Sequence, residues 1–89
     1  MQIDIKKAAA RISGQVLQTP LFYSKYLSVL NKGQVYLKLE SEQYTGSFKA
    51  RGALNKILSL SSSDKAKGLI TASTGNHAQG FARALEIAN

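Results

Sequence analysis

The sequence contains no cysteine, one proline and one histidine in its 89 residues. Without cysteine it can form no disulfide and no cysteine-based metal site, and a single His77 excludes a histidine-rich metal site. The same absence favours a reducing, cytoplasmic setting. No apolar run approaches the roughly 18 residues of a membrane span, and residues 1–7 lack the apolar core of a signal peptide. We therefore expect no metal, no membrane partner and a cytoplasmic location.

Acidic residues are also scarce, with five Asp and Glu against twelve Lys and Arg and a net charge of +7. The basic residues are spread along the whole chain, and only Lys6 and Lys7 are adjacent. Aromatic residues do not interleave with a basic stripe. This pattern favours a solvated basic surface, part of which a small anionic ligand could use, over nucleic-acid binding.

Apolar periodicity and turn residues predict alternating strands and helices. The expected strands are residues 21–23, residues 35–40 and a buried segment at residues 69–72; the expected helices begin after Asp4, at Ser24, at Ser47 (ending near Leu60) and at Gly75 or Asn76. This order favours a parallel α/β layer with right-handed crossovers. A sheet of so few strands would have unprotected edges and an incomplete hydrophobic core. We therefore interpret residues 1–89 as a single N-terminal fragment of a larger α/β domain.

The same periodicity predicts which helical side chains are buried. They are Ile5, Ala8, Ala9 and Ile12 in the first helix, Leu54, Ile57 and Leu58 in the Ser47 helix, and Ala78, Phe81, Ala82 and Leu85 in the last. Gly46 and Gly52 fit a turn and a site of tight helix packing, respectively.

Lys49 is the first candidate catalytic residue, because it lies where a polar loop becomes a helix. The positive end of the helix dipole and the nearby Arg51 disfavour its ammonium form. A neutral amine is the form that attacks an aldehyde, so this position suits imine chemistry on a cofactor. The alternatives are a solvated surface lysine for Lys49 and a structural ion pair for Arg51.

A second candidate site is the run Ser73-Thr74-Gly75-Asn76-His77, which follows the expected buried strand and opens the last helix. In open α/β sheets ligands collect at the carboxyl ends of strands, and the first-turn N–H groups of a helix suit an anion such as a carboxylate. Asn76 can both donate and accept, which suits a phenolic oxygen. The alternative is an ordinary helix cap by Ser73 or Thr74, and for His77 a structural role.

Four segments closely resemble the threonine dehydratase and serine racemase family, which comprises pyridoxal-phosphate enzymes of the tryptophan-synthase-β fold type. They are Thr19-Pro20-Leu21, Leu37-Lys38-Leu39-Glu40, Thr45-Gly46-Ser47-Phe48-Lys49-Ala50-Arg51-Gly52-Ala53 and Thr71-Ala72-Ser73-Thr74-Gly75-Asn76-His77-Ala78-Gln79-Gly80. The resemblance runs from about Ile5 to the end of the chain. It implies an incomplete parallel-sheet fragment with flanking helices, corresponding to about the first quarter of a family member.

The resemblance implies a role for each candidate residue. Lys49 would form a Schiff base with pyridoxal 5'-phosphate, Phe48 would pack beside the cofactor, and Asn76 would bond its ring hydroxyl. The substrate carboxylate would be bound by the loop Ser73-Thr74-Gly75-Asn76-His77. The implied reaction is dehydration of L-threonine or L-serine, in which Lys49 takes the Cα proton, the β-hydroxyl leaves and a 2-oxo acid and ammonia result.

Thr74 departs from the family, because racemases carry serine and many dehydratases carry alanine at the corresponding place. We therefore expect dehydration to dominate over racemisation. The family's glycine-rich phosphate loop lies beyond residue 89, so the 89-residue chain alone is expected to be inactive or nearly so. A serine racemase, another enzyme of the same fold and a truncated, non-catalytic remnant remain alternatives. A full-length protein is expected to be a homo-oligomer.

Overall fold

The computed structural model describes residues 3–89; Met1 and Gln2, which belong to the start that lacks a signal-peptide core, lie outside the described residues. The helices are α1 (Ile5–Ile12), α2 (Lys25–Leu30), α3 (Lys49–Ser59), α4 (Ser62–Ala66) and α5 (Asn76–Ala88), with a 3₁₀ turn at Glu40–Glu42. The strands are β1 (Leu21–Tyr23) and β2 (Tyr36–Lys38). The element order matches the sequence-based expectation up to α4.

Short polar side chains start three of the helices, and the sequence predicts the starts at Asp4 and Ser24. Asp4 accepts a hydrogen bond from the N–H of Lys7, Ser24 from that of Leu27 and Ser61 from that of Asp64. Each bond satisfies one of the backbone donors that a helix start leaves free. The start predicted for α3 is displaced: Ser47 lies two residues before the helix, and its hydroxyl accepts from the Lys49 N–H.

The two strands pair antiparallel, with Phe22 opposite Leu37 at the centre of the ladder. The expected parallel layer is therefore wrong for this pair. The connection through α2 turns back at Lys32, whose φ of 49° lies in the left-handed region, and at Gly33. That reversal brings β2 beside β1 in the opposite direction, whereas a parallel pair needs a crossover that returns the chain to its starting end.

Segment 69–72, expected to be a buried strand, forms no strand among the described residues. Ile70 in its middle is 97% exposed. A strand needs a neighbour to accept its backbone hydrogen bonds, and in residues 3–89 the β1–β2 ladder is the only sheet. Despite its β-rich composition, the segment therefore pairs with no strand within the described residues.

Helices α1, α3 and α5 form the core, which consists of Ile12, Ala53, Leu54, Ile57 and Ala84. The prediction for α3 is confirmed at Leu54 and Ile57, and Leu58 is half-buried. Three predictions are wrong: Ile5 and Ala9 of the first helix are exposed, and Ala82 is exposed while Gly80 and Ala84 are buried. The buried side of α5 is thus rotated towards its smallest residues, because these allow the closest approach to α3.

The described chain is elongated, measuring 52 × 29 × 25 Å with a radius of gyration of 15.9 Å. A compact domain of this length would have a radius of about 12 Å. Large apolar side chains of β1, α2 and β2, such as Phe22, Val29 and Tyr36, remain exposed. The core therefore holds only the helical half together. Within residues 3–89, no helix has both the length and the apolar content needed to cross a membrane.

Candidate active site

Lys49 is the first residue of α3 and is half-buried. The preceding loop turns at Gly46, whose φ of 69° is the left-handed conformation that glycine adopts without strain. This confirms the turn expected at Gly46. The loop thus places Lys49 in the first turn of α3, at the positive end of the helix.

Phe48 precedes Lys49 and is 60% exposed. Its ring centroid lies 5.5 Å from the Lys49 Nζ, within the range of a cation–π contact. An exposed ring beside the amine is available to pack against a flat ligand. The structure places the Phe48 ring beside the Lys49 amine.

Ser73, Thr74, Gly75 and Asn76 are all exposed at the start of α5. Gly75 occupies the cap position, and no side chain caps the helix. The Ser73 hydroxyl accepts from the Gly75 N–H at 3.3 Å and so shapes the loop without filling the helix end. The interpretation of Ser73 or Thr74 as an ordinary cap of α5 is therefore wrong, and the first-turn N–H groups stay available to an anion.

A close contact between helices joins the two candidate segments. Gly80 of α5 lies against the backbone of Lys49 and Ala50, at a distance that leaves no room for a side chain. Asn76 is one helical turn before Gly80, about 6 Å along the axis. The structure thus brings the Lys49 backbone to within about one turn of the loop that ends in Asn76.

His77 is half-buried and lines a groove of about 220 Å³ between α3, α5 and segment 69–71. Apolar side chains, among them Ile57 and Phe81, form much of the remaining wall. His77 therefore differs from the four exposed residues before it, because it faces α3. No cluster of three or more potential metal-ligating side chains occurs among residues 3–89.

Arg51 forms a two-pronged ion pair with Glu40. Its Nε donates to Oε2 at 2.9 Å and its Nη2 donates to Oε1 at 2.7 Å. The Arg51 bond and, less strongly, the Thr19 hydroxyl lower the pKa of Glu40 from 4.5 to about 2, and the carboxylate raises the pKa of Arg51. The structural alternative for Arg51 is therefore confirmed. Its charge is matched by Glu40 and is not free to act on Lys49.

Gln43 extends this network to the segment before β1. Its amide donates to the Leu17 carbonyl at 3.0 Å and accepts from the Leu17 N–H at 2.9 Å. Lys38 and Arg51 also donate to backbone carbonyls of the same segment, at Thr19 and Leu17. The network fixes the entry to β1 against the start of α3, two residues from Lys49.

The sequence-based reasoning missed Gln43 and Gly80 as residues that build the site. Gln43 is 3% exposed although it lies in a polar run that reads as a surface turn, so no sequence signal identified it. Gly80 did carry a signal, because a glycine inside a helical pattern often marks close packing. The packing role expected for Gly52 is wrong, since a Cβ there would meet nothing within 4 Å.

A family model described as pyridoxal-phosphate dependent enzyme matches residues 12–89. The chain belongs to this family, whose cofactor is pyridoxal phosphate. It is 60% identical over 80 residues to the L-threonine dehydratase catabolic TdcB of Staphylococcus aureus strain N315, covering 89% of this chain and 23% of that protein. It is 50% identical over 84 residues to the L-threonine ammonia-lyase of Thermotoga maritima, covering 94% and 21%.

Solved structures of serine racemases have the same fold over this length. The enzyme of Dictyostelium discoideum superposes with a TM-score of 0.86 at 39% identity, covering 94% of this chain and 28% of that one. Maize serine racemase gives a TM-score of 0.83 at 37% identity, covering 93% and 26%. The family resemblance and the interpretation as an incomplete α/β fragment are thus confirmed. The chain covers less than a quarter of the length of the two curated relatives.

The donor set at the two helix starts fits pyridoxal phosphate. Lys49 supplies an amine, Phe48 an exposed ring, and the uncapped start of α5 supplies backbone N–H groups beside the Asn76 amide. Just before Lys49, the buried hydroxyl of Thr45 has no hydrogen-bond partner within the described chain. A polar molecule held beside this loop agrees with such an unsatisfied group better than an apolar one.

Proposed function

We propose that this chain is the N-terminal part of a pyridoxal-phosphate-dependent L-threonine or L-serine ammonia-lyase, and that residues 1–89 belong to one larger catalytic domain. The observation that carries the proposal is the contact that sets the Lys49 turn of α3 against α5, the helix that loop 73–77 opens. The identity with two threonine-deaminating relatives supports the substrate class.

Each candidate residue has a role in this proposal. Lys49 would hold the cofactor through its amine and would act as the base that takes the substrate Cα proton. Asn76 orients the cofactor through its ring hydroxyl, and Phe48 packs beside it. The free N–H groups at the start of α5 and the hydroxyls of Ser73 and Thr74 bind the substrate carboxylate, with Gly75 leaving the backbone open and His77 supporting the loop from its groove.

The bound cofactor supplies an electron sink for the charge left on Cα when the proton is removed. The chain itself orients the bonds and holds the proton on the Lys49 Nζ. The β-hydroxyl leaves as water by taking up the proton removed from Cα, and the enamine that is released is hydrolysed by water to a 2-oxo acid and ammonia. Thr74 keeps a hydroxyl, but its methyl group restricts its rotamers, so proton return to the opposite face is slow and dehydration dominates.

Serine racemase is the second candidate, because two similar solved structures are those of serine racemases. Thr74 is the position that bears on the choice. A full-length protein that converted L-serine to D-serine faster than to pyruvate would favour the racemase. Equal or faster pyruvate formation would favour the ammonia-lyase.

The decisive experiment is chemical trapping of the cofactor on Lys49 in the full-length protein. Pyridoxal phosphate is added, the protein is reduced with borohydride, and peptides are mapped by mass spectrometry. We expect the pyridoxyl mass on Lys49 and its loss in Lys49→Ala, together with loss of ammonia release from L-threonine. Lys56→Ala, on an exposed position of the same helix, is the matched control and should retain both.

The remaining expectations concern the whole protein. We propose that the full-length form is a homo-oligomeric cytoplasmic enzyme acting on a small amino acid, with no nucleic-acid partner. The 89-residue chain alone should release almost no ammonia, since it covers less than a quarter of these relatives. Steady turnover of L-threonine by the 89-residue chain would contradict this, and a coding frame that ends after Asn89 would favour the non-catalytic remnant.

A further inference from the structure

The closest approach between α3 and α5 is made by a position without a side chain. A Cβ built on Gly80 would lie 3.0 Å from the Lys49 carbonyl oxygen, 3.1 Å from its carbonyl carbon and 3.2 Å from the Ala50 nitrogen. Real side chains seldom come so near, and all three atoms are backbone atoms that cannot rotate away. Any larger residue at Gly80 must therefore push α5 and the Lys49 turn apart.

This contact lies between the two halves of the candidate site. Gly80 is one turn after Asn76 on α5, and the backbone it touches is that of the residue that carries the amine. One turn further on, Ala84 is 1% exposed in the core and continues the same narrow seam. At Gly80, the width of this seam sets how far the Lys49 backbone lies from α5.

A second contact from α5 holds the loop that leads into Lys49. The guanidinium of Arg83 lies over the ring of Tyr44, with its central carbon 3.9 Å from the ring centroid. Tyr44 precedes Gly46, where the chain turns towards α3. Because α5 contacts both the loop and the first turn of α3, a shift of α5 moves the Lys49 backbone relative to Asn76.

We propose that Gly80 is a positioning residue for Lys49. By lacking a side chain it lets α5 seat directly on the Lys49–Ala50 backbone, which holds the amine at the correct distance from Asn76. This inference rests on the proposed function, because it takes Lys49 and Asn76 as the residues that hold the cofactor. Displacing a reacting group by about 1 Å can cost around a hundredfold in rate, so the few tenths of an ångström that a methyl group at Gly80 requires should have a severalfold effect.

The test compares Gly80→Ala with Gly52→Ala, a change of the same chemistry on α3 where the added methyl meets nothing within 4 Å. In the cofactor-free protein, NMR should show a contact between the Gly80 Hα protons and the Ala50 amide proton. Because the added methyl replaces the Hα proton that points at Ala50, the comparison between variants uses contacts between Ala53 of α3 and Ala84 of α5, which both lie in the core. These contacts should weaken in Gly80→Ala and persist in Gly52→Ala. Titration with pyridoxal phosphate should give a dissociation constant that is raised severalfold in Gly80→Ala alone.

Lost stability is separated from lost position by a third variant. Ala84→Gly removes a core methyl from the same seam without touching Lys49, so it should destabilise the protein while leaving cofactor affinity near that of the wild type. The cofactor affinity of Gly80→Ala is also measured in the Gly52→Ala background, because Gly52→Ala should stabilise the protein. The temperature is kept well below the midpoint of thermal unfolding. Wild-type cofactor affinity in folded Gly80→Ala would overturn the proposal, and so would a failure to fold even in that background.

The outcome for Gly80 can be told apart from the outcome for the proposed function. If wild-type protein attaches no pyridoxal phosphate to Lys49, the proposed function fails. The NMR comparison needs no cofactor and still decides whether Gly80 sets the distance between the two helices.

Discussion

Glu40 joins three parts of the chain that are distant in sequence. Its carboxylate accepts from Arg51 at the start of α3 and from the Thr19 hydroxyl before β1. The pair is partly shielded, with side-chain exposures of 16% for Glu40 and 33% for Arg51. A two-pronged, partly buried pair of this kind is stronger than an ordinary surface salt bridge, so a single residue anchors the entry to the site.

Glu40 makes stability depend on pH in the acid range. Its pKa is about 2 in the folded chain against an ordinary 4.5. A lowered pKa gives stability that is fully present above the unfolded pKa and is lost as the pH falls through the folded value. The unfolding free energy should therefore fall between about pH 4.5 and pH 2, by on the order of 2–3 kcal/mol, measured by denaturant unfolding at each pH.

Replacing Glu40 with Gln should remove this part of the pH dependence and make the protein less stable at pH 7. The difference from the wild type should vanish near pH 2. Asp64→Asn is the control: its pKa is also lowered, by Ser61 and then Lys67, but the side chain is exposed and its partners lie within the same turn. Equal effects of the two changes would contradict the anchoring role of Glu40.

A second prediction at this scale concerns Thr74. Replacing it with Ser removes the methyl group and restores a freely rotating hydroxyl. In the full-length protein we expect the ratio of D-serine to pyruvate formed from L-serine to rise severalfold, measured by chiral chromatography. Thr71→Ser, just before the loop, is the control and should leave the ratio unchanged. No change with Thr74→Ser would mean that this hydroxyl does not reach Cα.

At the scale of elements, α3 contains a glycine with no structural reason to be glycine in the described chain. Gly52 lies inside the helix, is exposed, and has empty space where a Cβ would be. Gly46, in the loop before it, has a φ of 69° that disfavours any other residue. A side chain is therefore tolerated at Gly52 but disfavoured at Gly46, and composition alone does not reveal this difference.

Gly52→Ala should stabilise the protein by about 0.5–1 kcal/mol, because alanine loses less backbone entropy in a helix. Gly46→Ala should destabilise it by about 1–2 kcal/mol, since its backbone is left-handed. Thermal unfolding of both variants checks the pair. Destabilisation by Gly52→Ala would show that residues outside this chain pack against that face of α3.

At the scale of the whole molecule, packing is uneven. Helices α1, α3 and α5 share a small core around Leu54, which is 2% exposed. The side chains of β1 and β2, by contrast, are all exposed. Exposed apolar patches of this kind promote association. The chain is also elongated, because within residues 3–89 no other element packs on the β1–β2 ladder.

Two substitutions in the 89-residue chain should distinguish the buried core from the exposed apolar segment 69–72. Leu54→Ala should cost about 2–4 kcal/mol of unfolding free energy, because it opens a cavity in the core. Ile70→Asp should change stability by less than about 0.5 kcal/mol, since Ile70 is almost fully exposed, and should reduce self-association in sedimentation experiments. A large loss of stability in Ile70→Asp would mean that segment 69–72 is covered in solution.

The sequence by itself determined the local features: the capped helix starts, the turn at Gly46, the buried face of α3 and the two segments around Lys49 and Asn76. These depend on residues close in the chain, so their patterns can be read directly. The tertiary structure alone decided the antiparallel pairing of β1 with β2, the Glu40–Arg51–Gln43 network and the seating of Gly80 on Lys49. These are contacts between distant segments. A glycine inside a helical pattern marks close packing at Gly80, but no local pattern identifies the backbone that it approaches or the distance.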